Sequence, residues 1–103
     1  MLVVVAASAA GDAVAELCDT ENLRQLHVEF RAVDDEAAAK ALAAAGLGLV
    51  ADGHAWLEID TLRRAGDGSP GWSGQFEAML DYARRKEWVD ARGERLRAHI
   101  VRS

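Results

Sequence analysis

The dipeptide Asp52-Gly53 constrains this chain more tightly than any other feature of it. Asp-Gly best supports the positive φ angles of a type I′ turn, and it joins two short apolar runs, Leu47 to Ala51 and His54 to Ile59. A two-residue hairpin follows. Its turn fixes register, so that Ala51 faces His54, Leu49 faces Trp56 and Leu47 faces Glu58 on one side of the ribbon. Val50, Ala55, Leu57 and Ile59 take the other side.

The segments around the hairpin carry equally local signals. Residues Leu26 to Val33 alternate, with Leu26, Val28, Phe30 and Ala32 on one side and His27, Glu29 and Arg31 on the other, as in a strand with two unlike faces. Asp34, Asp35 and Glu36 then open a helix whose interior is nearly all Ala, and Gly46 stands at its left-handed C-cap. Its buried stripe is Ala38, Ala41, Leu42 and Ala45. Beyond a glycine-rich loop, Ser69-Pro70 offers an N-cap and first-turn proline to a second helix. There Trp72, Phe76, Met79, Leu80 and Ala83 recur at core spacing, and Arg84-Arg85-Lys86 form a solvated C-terminal end. A turn at Asp90 to Gly93 leads into a last strand, Arg95 to Arg102.

This order predicts an α+β fold with a ferredoxin-like split βαββαβ core over residues 26–102. In that class the first strand is central and antiparallel to the third and fourth, with the helices on one face. The residues before the core read as an addition: a strand covered on both faces at Leu2 to Ala7, and a short helix at Asp12 to Asp19.

Composition narrows the functional classes. A chain of 103 residues that is half apolar can bury a core as a single domain, 1–103, without disulfide or metal. A formal charge of -5 argues against nucleic acid and anionic membranes as partners. Cys18 is the only cysteine, so no internal disulfide is possible, and a buried thiol is expected. Met1 to Ala10 is apolar but lacks the basic start of a secretory signal, and no apolar run reaches the roughly 20 residues of a membrane span. Cytoplasmic residence is the expectation. No phosphate-loop, dinucleotide or nucleophile-elbow pattern is present, and the glycines from Gly66 to Gly74 lack the strand a phosphate loop requires, so no cofactor is implied.

Function is therefore sought on the sheet face turned away from the helices. The predicted topology gathers there His27, Glu29, Arg31, Leu47, Leu49, His54, Trp56, Glu58, Arg97 and His99. Trp56 beside Leu49 would expose an apolar patch that a second copy or a small organic ligand would cover. Within this set His99 and Glu29 are expected to be cross-strand neighbours, a carboxylate orienting an imidazole for acid–base work or simply pairing with it. The expected alignment sets His27 near Glu58 and His54 near Arg31, roughly 13 Å apart along the strand, too far to share a metal ion. The leading expectation is a noncatalytic domain that self-associates or binds a small ligand through Leu49, His54, Trp56, Glu58, His27, Arg31 and Arg97. The rivals are a cofactor-independent enzyme using His99 and Glu29, with Trp56 shaping its pocket, and an adaptor subunit of a hetero-complex. Trp88, near a helix end, could cap the core or line a pocket mouth.

The stretch Trp72 to Ile100, through Phe76, Met79, Leu80, Tyr82-Ala83, Trp88-Val89, Gly93 and Arg97-Ala98-His99, resembles short uncharacterised proteins of high-GC actinobacteria. The abundance of Ala, and Arg in place of nearly all Lys, looks like the codon bias of such genomes. The resemblance covers the last third of the chain, implies a soluble bacterial origin and carries no catalytic residue over.

Overall fold

The structure, a computed structural model, describes residues 1–66 and 70–103. Its elements run β1 (Leu2–Ala7), β2 (Ala13–Cys18), β3 (His27–Arg31), α1 (Asp35–Ala44), β4 (Gly48–Ala51), β5 (His54–Glu58), α2 (Ile59–Ala65), α3 (Pro70–Arg85) and β6 (Arg95–Arg102). The α+β class holds. No helix among the described residues is long and apolar enough to cross a membrane.

The hairpin forms as its turn requires. Asp52 and Gly53 have φ of 55° and 77°, and the pairs Leu49↔Trp56 and Ala51↔His54 match the expected register. The Glu58 N–H donating to the Leu47 carbonyl at 2.8 Å extends it. Asp34 caps α1 by accepting from the Ala37 N–H at 2.7 Å. At the other end Leu47 N–H returns to the Leu42 carbonyl and Gly46 N–H to that of Ala43, a Schellman motif with Gly46 at φ 70°. Ala38, Ala41 and Leu42 are buried on this helix, whereas Ala45 is exposed.

Four expectations are overturned. Ala13–Cys18 is a strand and not a helix, because Ala13, Ala15 and Leu17 alternate with Val14, Glu16 and Cys18, and the segment is short enough to hairpin back onto β1. Ile59 does not end β5. It opens α2, where Ile59 and Leu62 bury one helical face.

The third correction concerns strand order, which is β2-β1-β3-β6-β5-β4. β3 is parallel to both its neighbours, β1 and β6, and is separated from β5 by β6. The ferredoxin-like arrangement would instead pair β3 antiparallel with β5 and β6. Val3 and Val5, wholly buried, make β1 an interior strand that occupies the other edge of β3. β6 is long enough to serve two partners: its first half, Arg95 to Ala98, pairs with β5, and its second, His99 to Arg102, pairs with β3.

The fourth follows from the third. His27 lies opposite His99 and not near Glu58, whose partner is Arg95. His54 precedes Ala55, the partner of Ala98, and so comes level with His99 and not with Arg31. Three imidazoles therefore stand in one row across β3, β6 and β5, with about 10 Å across its two strand spacings.

One apolar core joins these parts. Val3, Val5, Val28, Phe30, Leu57 and Leu96 from the sheet meet Leu42, Leu62, Phe76 and Leu80 from the helices, all essentially inaccessible. Each such side chain contributes about 1.5–3 kcal/mol on burial. α1 packs against β2 and β4, the two edge strands, so the sheet curls around it. Trp72, Phe76, Leu80 and Ala83 of α3 are buried as their spacing predicts, and Met79 is half-buried. The expected Ser69 cap lies outside the described residues.

Candidate functional site

The site is built on β6, which has a gap along one edge. Toward its C-terminus this edge carries β3, starting at His27 opposite His99. Toward its N-terminus it carries Trp88 to Asp90, held by the Val89↔Leu96 bridge and by Arg97 N–H donating to the Trp88 carbonyl at 2.6 Å. Ala98 lies between these two partners, with Arg97 and His99 on either side of it.

The end of α3 places Trp88. Trp88 N–H returns to the Ala83 carbonyl and Glu87 N–H to that of Arg84, a second Schellman motif in which Glu87 takes φ 63°. The motif turns the chain back toward β6 and sets the Trp88 indole edge-on to Tyr82, ring centroids 5.7 Å apart. Asp90 then closes the turn into β6, its Oδ1 accepting from Glu94 N–H at 2.9 Å and Arg95 N–H at 3.2 Å. Burial works against the Asp90 charge, but these backbone donors and Arg95 outweigh it and hold the carboxyl below its ordinary value.

The loop between β2 and β3 supplies the opposite wall. It is pinned from two sides: the Met1 ammonium donates to the carbonyls of Asn22 and Gln25, and the Trp72 indole donates to the Thr20 carbonyl. Between this loop, α3 and the gap in β6 lies a cleft of about 830 Å³. Leu23, Leu26, Met79 and Trp88 line it with apolar surface, and Arg24, His54, Gln75, Arg97 and His99 bring polar groups to it. That combination of concavity, apolar lining and few polar groups is typical of small-molecule sites.

His54, Arg97 and His99 are thus the expected site residues that the structure brings together at a cavity. The imidazole of His54 meets the Asp52 carbonyl through Nδ1 at 3.2 Å. Leu49 and Trp56 line a separate shallow hollow of about 240 Å³ with Asp52, Asp90 and Arg95. Trp56 is only half-buried there, and Glu58 beside it is bound to Arg95, Oε1 to Nε 2.8 Å.

Glu29 and His99 are not paired. Glu29 is opposite Val101, and its carboxylate is held by Arg31, Nε to Oε1 at 3.1 Å and Nη2 to Oε2 at 3.2 Å. The Arg31 hydrogen bond, helped by the charges of Arg31 and His27, keeps the Glu29 carboxyl below its ordinary range. His27 is half-buried next to His99. Cys18, expected to be buried, is half-buried and free at the end of β2. No group of three or more His, Cys, Asp or Glu able to hold a metal ion occurs among the described residues.

Sequence reasoning missed the apolar half of the cleft except Trp88. Met79 flanks the buried stripe of α3, which makes it look like core, and Leu23 and Leu26 flank a strand start. No family model, curated protein or solved structure matches the chain.

Proposed function

We propose that this chain is a noncatalytic domain that binds a small organic ligand in the cleft between α3, the β2–β3 loop and β6. The observation that carries this reading is the cleft itself, about 830 Å³, with Leu26, Met79 and Trp88 as apolar lining and Arg97 and His99 as polar lining. The engagement of Glu29 by Arg31 supports binding over acid–base catalysis, because His99 has lost the carboxylate that would have oriented it.

Amide chemical-shift mapping with a panel of small aromatic compounds tests the reading. Shifts confined to Leu26, Met79, Trp88 and Ala98, and abolished by filling the cleft with Ala78→Trp, are the expected result. Shifts scattered over the surface, or unaffected by Ala78→Trp in a folded variant, would refute it.

A second reading, self-association through the sheet face away from the helices, is favoured by one observation. Val14 and Val101 share that face and are 45% and 38% exposed. Sedimentation velocity decides it: a dimer that Val101→Glu dissociates supports this interface, and a concentration-independent monomer removes it.

A further inference from the structure

We infer that the ligand of the cleft is an organic anion, a carboxylate on an apolar body, and that Arg97 is the residue that binds its charge. This rests on the cleft being the binding site.

The argument begins with how the chain uses its arginines. Arg31, Arg63, Arg84, Arg95 and Arg102 each have a carboxylate within ion-pair distance. Of the arginines without an ion pair among the described residues, Arg24, Arg64, Arg85 and Arg92 are exposed and solvated. Arg97 alone among these is half-buried. Its backbone is fixed between Trp56, its register partner, and Trp88, to whose carbonyl its N–H donates. A guanidinium drawn partly out of water without an anion has lost hydration and gained no charge partner, and a ligand carboxylate would supply one through two parallel N–H donors.

The surroundings select the class of anion. Arg24, His54 and His99 add donors to the lining, in a protein whose formal net charge is -5. The only carboxylate among the described lining residues is Glu21, exposed on the outer loop. α3 presents its middle and C-terminal half to the cleft, where the helix dipole offers no positive end to a phosphate. One half-buried guanidinium in a lining that also holds Leu26, Met79 and Trp88 suits a monocarboxylate with a flat or aliphatic body better than a multiply charged phosphate.

The experiment compares 2-naphthoate with 2-naphthamide, near-isosteric probes that differ in charge, by amide chemical-shift titration of the full chain. The expected result is that naphthoate binds about tenfold more tightly than the amide, the worth of one charge-assisted hydrogen bond. Arg97→Gln should abolish that preference while leaving the amide affinity unchanged, and Arg97→Lys should keep part of it. The spectrum of each variant reports whether it is folded. If the two probes bind the cleft equally in the native protein, or if naphthoate keeps its advantage in either Arg97→Gln or an Arg97→Gln/Arg24→Gln double variant, the assignment to Arg97 is wrong while the cleft remains a binding site. If neither probe shifts a cleft residue, the inference and the proposed function fail together.

Discussion

The indole Nε1–H of Trp72 donates to the carbonyl of Thr20 at 2.6 Å and ties the start of α3 to the loop that walls the cleft. Trp72 is 6% exposed, stacks on Phe76 with centroids 5.0 Å apart, and covers Gly66, where a Cβ would fall into its ring. Trp72→Phe removes the hydrogen bond and part of the packed volume. It should lower stability by about 2–3 kcal/mol in urea unfolding. Because the bond anchors the loop, amide exchange at Glu21 to Gln25 should quicken more than that at β1, and uniform loss of protection would deny the anchoring role.

The cap that positions Trp88 offers a stabilising substitution. Glu87 adopts φ 63°, a conformation that places Cβ against the following carbonyl, at the position where Schellman motifs favour glycine. Relief of that strain outweighs the backbone entropy that glycine adds to the unfolded chain. Glu87→Gly should therefore raise the urea midpoint, by about 0.5–1 kcal/mol in stability. A fall would show that the Glu87 side chain makes a contribution that the backbone geometry does not capture.

The opposite sign applies at Gly48. This residue begins β4 at φ 155°, and a Cβ there would collide with the carbonyl oxygen of Trp56, which is backbone and cannot turn aside. Gly48→Ala should cost about 3 kcal/mol or more and loosen the hairpin. Loss of the β4–β5 amide protection before that of β1 and β3 would locate the damage, and a variant as stable as the native chain would contradict the close approach.

Legibility in the sequence followed the range of the interactions. The Asp52-Gly53 hairpin, the caps of α1 and the buried stripe of α3 are set by residues within a few positions of one another, and all were readable. Val14, Glu16 and Cys18 between Ala13, Ala15 and Leu17 carried the period of a strand, but six residues in a polar setting also suit a short helix. Ile59 continued the alternation of β5, and Leu62, three residues on, was the only sign that a helix had begun.

The faces were legible where the neighbours were not. Alternation put His27, His54, Trp56, Arg97 and His99 on one side of the sheet without alignment, because parity is local. Register between strands distant in sequence depends on which edge each finds free. β1 took one edge of β3 and β6 the other, so Glu29 met Val101 and His27 met His99. The cleft depends on a still longer relation, the gap along β6 between His27 and Trp88, which neither segment encodes alone.

Acid should weaken the fold through carboxylates that the structure holds below their ordinary values. Arg31 does this for Glu29 and Arg102 for Asp35, each first by hydrogen bonding and also by charge. Asp90 reaches the same direction against the opposing effect of burial, through the backbone donors of Glu94 and Arg95. A carboxyl depressed in the folded state binds protons more readily when unfolded, so its contribution is complete above the unfolded value and drains away as pH falls through the folded one. The urea midpoint should hold level from about pH 7 to about pH 5 and decline below about pH 4.5. Asp90→Asn retains an oxygen for the two backbone donors but carries no charge. It should lower the midpoint at neutral pH and give a shallower acid decline, whereas a decline identical to that of the native chain would show that the Asp90 charge has no part in holding the turn into β6.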